Sequence, residues 1–159
     1  MALIYGSRDQ VEKYQQLKAR AEAIFQENKL IMCPFFEQEI TLNSDGLHHL
    51  QFSARRERSK EEQILKFKLL PLALKVIKKT GTVQEYRKEL IPIGKKSERD
   101  GLRATKLVQS WGFESIVGKD MEIKIRAIVR QVGDGKLVFW SVMLVEKGTY
   151  RLAKGLQED

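Results

Sequence analysis

A chain of 159 residues that is 42% apolar is long enough for one domain with a single core, and its 7 Phe, 4 Tyr and 2 Trp argue against disorder. Its one cysteine, Cys33, excludes an internal disulfide framework and any multi-cysteine metal knot. The 29 basic and 21 acidic side chains leave a formal net charge of +8, which makes a polyanion such as RNA or DNA a natural partner and a solubilising basic surface the plainer alternative.

The first nine residues lack the basic start and long apolar run of a secretory signal, and no segment approaches the roughly 18 apolar residues of a membrane span. The expectation is a cytoplasmic chain with no membrane partner. Charge is uneven along it: residues 1–54 hold 5 basic and 7 acidic side chains, residues 55–159 hold 24 and 14. The densest stretch, residues 55–79, opens with Arg55 and Arg56 and carries seven further cations against Glu57, Glu61 and Glu62.

Ser7-Arg8-Asp9-Gln10 has the pattern of a capping box and opens a helix predicted to run to about Asn28, with Val11, Tyr14, Leu17 and Ala21 on one stripe. After Cys33-Pro34, residues 36–42 alternate as a strand. Asn43-Ser44-Asp45-Gly46 reads as a turn, and residues 47–52 alternate again. Ser59-Lys60-Glu61-Glu62 opens a second helix, apolar nearly all round to Lys79, which Pro71 should kink or split. Thr82-Val83-Gln84-Glu85 predicts a short helix ending before Pro92, and residues 94–101 a polar loop. Residues 104–117, 121–132 and 137–144 read as three antiparallel strands with a hairpin at Asp134-Gly135.

These elements predict an α+β fold: a largely antiparallel four- to five-stranded sheet with helices packed on one face. Residues 1–34 would form an N-terminal helical extension, 35–147 the domain and 148–159 a tail.

Parity then assigns side chains to the uncovered face. Met121, Ile123, Ile125, Ala127 and Val129 belong to the core, so Lys124, Arg126 and Arg130 point outward. The hairpin register pairs Val129 with Trp140 and Ala127 with Val142 in the core, and Arg130 with Phe139, Ile128 with Ser141 and Arg126 with Met143 outside. Pairing Trp111 with Ile125 and Phe113 with Ile123 keeps Glu114 from burial and sets Lys106 and Ser110 on the same face. If residues 47–52 are a strand, His49 joins them and His48 faces the other way. The sum is a cationic platform of His49, Lys106, Ser110, Lys124, Arg126, Arg130 and Ser141, with Phe139 as an exposed aromatic.

Residues 112–119 miss a phosphate-binding loop by spacing and by Asp120, and no zinc-protease or serine-hydrolase motif occurs. The two histidines are adjacent and the carboxylates scattered, so neither a metal nor another cofactor is expected.

The order of strand, two helices and three antiparallel strands resembles the RelE-like ribonuclease toxins and, more broadly, the barnase–EndoU–colicin–RelE superfamily. Residues 123–136 followed by Phe139-Trp140-Ser141-Val142 are similar to the closing strand pair of phage-associated members. Ile40-Thr41-Leu42, Leu47-His48-His49-Leu50 and Arg55-Arg56 are similar to their first-strand region. A second histidine common in that region is replaced by Arg55 or Arg56. The resemblance covers about residues 40–145 and implies metal-independent RNA cleavage by 2′-OH attack, with a cognate inhibitor protein as a second partner. On it, His49 would be the general acid or base, Arg126 and Arg130 would clamp the phosphate, and Ser141 would donate to a phosphate oxygen. Lys106, Lys124, Arg55, Arg56 and Phe139 would hold the RNA. A non-catalytic nucleic-acid-binding module and a protein-interaction domain with a solubilising basic surface stand as alternatives.

Overall fold

The structure is a computed structural model that describes residues 8–119 and 122–147. Ser7 of the first capping pattern, Met121 of the core parity set and the tail expected at 148–159 lie outside the described residues.

Three helices and six strands follow in the order α1 (Arg8–Glu27), β1 (Leu30–Cys33), β2 (Gln38–Thr41), α2 (Ser44–Gln51), α3 (Lys60–Lys79), β3 (Glu85–Ile93), β4 (Ala104–Val117), β5 (Ile123–Val132) and β6 (Val138–Lys147). The strands form one sheet in the spatial order β1-β2-β6-β5-β4-β3. The α+β class is as expected. The sheet differs in having six strands and in being mixed, because β2 runs parallel to β6, meeting it at Thr41 and Val138. The boundary expected at 34 falls inside the β1–β2 hairpin, and α1 contributes Tyr14, Ala21 and Phe25 to the common core.

Two elements differ in kind. Residues 47–51 are helical because Asn43, expected in a turn, caps a helix: its side chain accepts from the backbone N–H of Asp45 and Gly46. Leu50 is then buried from one helical face. Residues 85–93 form a strand rather than a short helix because β4 offers a full antiparallel partner, from Glu85 opposite Gly112 to Ile93 opposite Ala104. Pro92 is tolerated there because β3 is an edge strand. Ser59 caps α3, its hydroxyl accepting from the Glu62 N–H at 3.1 Å, and α3 continues through Pro71 without splitting.

α3 lies across the sheet and buries Phe67, Leu70, Ala73, Leu74 and Ile77 against Phe113, Ile125, Ala127, Val129 and Val142. Burial alternates along β5 as parity requires, leaving Lys124, Arg126 and Arg130 on the side away from the core. Registers shift from expectation in two places. Trp111 and Phe113 pair with Val129 and Ala127, four residues along from the expected partners, which leaves every side chain on its expected face. In β6 a bulge opposite Ile128 and Val129 makes Trp140 the extra residue, so Val129 pairs with Phe139. Phe139 is therefore buried and Trp140 takes the outer position.

α2 packs closely on β6, and Gly46 is the point of approach. A methyl group there would collide with the Phe139 carbonyl oxygen. The Gly46→Ala variant should lose about 2 kcal/mol of stability, the scale of overpacking a rigid contact, read from the urea midpoint. A midpoint equal to that of the parent would show that α2 can move off the strand.

Candidate functional site

The chain behind β6 positions the site. Gln63, fully buried on α3, donates to the Arg58 carbonyl at 2.7 Å and receives the Tyr14 hydroxyl at 2.5 Å. Arg58, fixed in this way, donates from Nε to the His49 carbonyl at 3.0 Å and sets Nη2 3.2 Å from His49 Nε2. A guanidinium can only donate, so Nε2 is the acceptor and the imidazole carries its hydrogen on Nδ1. The ring stacks on Trp140, with centroids 4.5 Å apart. The Arg130 guanidinium lies 4.2 Å from the centroid of the same indole.

Electrostatics follow from that packing. Burial, helped by Arg58, Lys66 and Arg130, pushes the His49 pKa down to about 4, so the imidazole is neutral at pH 7. Lys66 is lowered to about 8, again chiefly by burial, with Arg58 adding to the effect and Glu62 opposing it. Its ammonium donates to the Val142 carbonyl at 2.6 Å and to Ser141 Oγ at 3.2 Å. Burial also lowers Arg130, against the pull of Glu89 and Asp45, and its Nε is buried without a hydrogen-bond partner among the described residues.

Two hollows meet at His49 and Trp140. One, of about 540 Å³, is walled by Asp45, His48, Phe52, Ser53, Ala54 and Arg130, with His48 stacked on Phe52 at 4.5 Å. The other, of about 220 Å³, runs across the sheet past Arg126, Ile128, Ser110 and Gly112 to Glu85, Arg87 and Glu89 on β3.

The expected platform is thus only partly assembled. His49, Arg126, Arg130 and Ser110 line these hollows, although His49 comes from a helix rather than a strand. His48 is exposed on the same helix, not across a sheet from His49. Lys124 stands on the same face, 3.5 Å from Glu114. Lys106 is exposed four residues from Ser110 along β4, about 13 Å away, and lines neither hollow. Arg55 and Arg56 are exposed on the α2–α3 loop that walls the larger hollow, Arg56 lying 3.6 Å from Glu62. Ser141 is buried with its oxygen taken by Lys66, and Phe139 is buried in the core, so neither is exposed on this face.

Arg126 is paired rather than free. It lies 2.9 Å from Glu85 and 2.5 Å from Glu114, and its hydrogen bonds hold the Glu114 carboxyl below its ordinary pKa. Gly112 lets it do so, since a Cβ there would meet the Arg126 chain at 2.9 Å. Carboxylates from β3 and β4 offset the repulsion between Lys124 and Arg126 on one strand face. Sequence reasoning missed Arg58, Lys66 and Trp140. Only Arg58 left a local signal, as part of the basic run before α3.

Among the described residues no group of three His, Cys, Asp or Glu side chains is placed to hold a metal ion. No helix among the described residues is long and apolar enough to cross a membrane. Comparison with known protein families, with curated proteins and with solved structures finds no match.

The depressed His49 pKa has a measurable consequence. Protonation is harder in the folded chain than in the unfolded one, so stability is full above pH 6.5 and falls as pH drops toward about 4. The His49→Asn variant should lose that part of the acid dependence, measured by urea unfolding at a series of pH values. Parallel curves for parent and variant between pH 6.5 and 4 would show that His49 titrates normally.

Proposed function

We propose that this chain is an RNA-binding domain that holds single-stranded nucleic acid along the hollows meeting at His49 and Trp140. The observation that carries the reading is the Arg130–Trp140–His49 stack: a guanidinium and an imidazole on one partly exposed indole, with the buried Nε of Arg130 unpartnered among the described residues. Single strands are gripped by such pairing of aromatic faces for bases with cations for phosphates. Phe52 and His48 supply a second aromatic wall, and Arg55 and Arg56 border it with exposed charge. The hollow of about 540 Å³ is roomy enough for a nucleobase. Arg126, already satisfied by two carboxylates, contributes less than its place on the sheet suggests.

Cleavage of the bound strand, the activity that the resemblance to RelE-like toxins implies, is the second reading. One feature favours it: His49 is unprotonated at neutral pH, the form a general base requires, and it stands beside two guanidiniums able to stabilise a phosphorane. Against it, Nε2 accepts from Arg58, and an imidazole with a pKa of about 4 is a weak base.

Fluorescence anisotropy with a labelled single-stranded RNA tests the binding. Affinity should fall steeply as salt rises, and Arg130→Ala should reduce the salt slope by about 1. Trp140→Ala should weaken binding roughly 10-fold at every salt concentration, because it removes the indole that holds the His49 ring and the Arg130 guanidinium in place. Binding unchanged in both variants would place the RNA elsewhere or nowhere.

Incubating the parent with RNA in excess chelator tests cleavage. If the strand is cut, His49→Ala should slow cutting by about 100-fold, whereas His48→Ala should not. An intact strand at the end leaves binding alone.

A further inference from the structure

β3 forms one edge of the sheet, with β4 on its inner side and its outer edge open among the described residues. An open edge presents unpaired backbone donors and acceptors, and proteins blunt such edges by keeping them short, charged or twisted. β3 is nine residues long and only weakly blunted, by Lys88 and Pro92. It also carries two exposed large apolar side chains, Leu90 at 71%, the highest among the described residues, and Tyr86 at 47%. They lie on the same face, the one on which Tyr86 meets Trp111.

Charge points the same way. The whole chain is strongly cationic, which keeps copies apart, yet Glu85, Arg87, Lys88 and Glu89 cancel within this strand. A two-fold axis perpendicular to the sheet pairs two β3 strands antiparallel and keeps facing residues on one side. Centred on Lys88, that operation sets Tyr86 opposite Leu90 of the second copy and Arg87 opposite Glu89, each twice. Neighbouring registers do worse. Centring on Arg87 sets Glu85 against Glu89, and centring on Glu89 sets Tyr86 against Pro92 and Glu89 against itself. The cost of the favoured register is one Lys88–Lys88 meeting between exposed side chains, where solvent and salt screen it.

We propose that two copies of this chain associate through β3, centred on Lys88, into one continuous sheet. The operation leaves both open faces on the same side, so both clefts address one surface.

Sedimentation equilibrium of the full chain at about 10–100 µM tests this. The parent should be a dimer. Arg87→Glu and Glu89→Arg should each be monomeric with an unchanged far-ultraviolet circular dichroism spectrum, because each variant alone sets like charges face to face. Mixed in equal amounts, the two should associate, since each reversed charge then meets its opposite in the other copy. Leu90→Lys, at a position already exposed, should be monomeric too. A monomeric parent, dimers that survive any of the three substitutions, or reversal variants that fail to associate on mixing would each overturn the proposal.

Discussion

β6 is an interior strand of the sheet, yet among the described residues most of its outer side has no strand beside it. β2 meets it at Val138 and goes no further, so the carbonyls beyond must find other donors or be left unsatisfied at a buried position. Lys66 reaches the Val142 carbonyl from α3, and α2 lies along the strand at a distance that only Gly46 permits. The same filling carries His49 onto Trp140 and brings Arg58 behind it. The site is therefore built from the elements that close an incomplete strand edge.

That origin explains its electrostatics. Burial does most to keep the histidine neutral, and the crowding of Arg58, Lys66 and Arg130 around its imidazole adds to it; the amine of Lys66 is depressed chiefly by burial and further by Arg58. Arg126, two residues along β5 from Ile128, meets Glu85 and Glu114 instead and is neutralised in place. The two guanidiniums of that strand face thus divide into a structural one, Arg126, and one with unspent hydrogen-bonding capacity, Arg130. An ion pair that is mostly shielded from water is costly to break by removing one partner, which ties Arg126 to the fold more than to a ligand.

Support for the site extends to α1. Tyr14 bonds to Gln63, Gln63 to the backbone of Arg58, and Arg58 to His49. A fully buried glutamine is retained only where its donors and acceptor are satisfied, and here it joins the first helix to the loop that carries the guanidinium. Residues that read as an added helix in the sequence are part of what holds His49 in position.

What depends on local periodicity was legible before any contact was known: the α+β class, the helix from Lys60 with its Ser59 cap, the strands over 104–117, 123–132 and 138–147, and the outward set Lys124, Arg126 and Arg130 on β5. Alternation settles a strand's faces whatever its register, which is why a four-residue slip between β4 and β5 moved no side chain to the wrong side. Tertiary structure decided the rest. Asn43-Ser44-Asp45-Gly46 has the chemistry of a turn and of a helix cap alike, and only packing against β6 selected the helix that carries His49. Residues 85–93 have a helix-start signal, but a long neighbouring strand offered more hydrogen bonds than a short exposed helix could keep. One bulged residue, invisible to alternation because it breaks it, exchanged Phe139 for Trp140 on the outer face. The partners of Arg126 and His49 come from strands and loops far along the chain, and such contacts leave no trace in spacing.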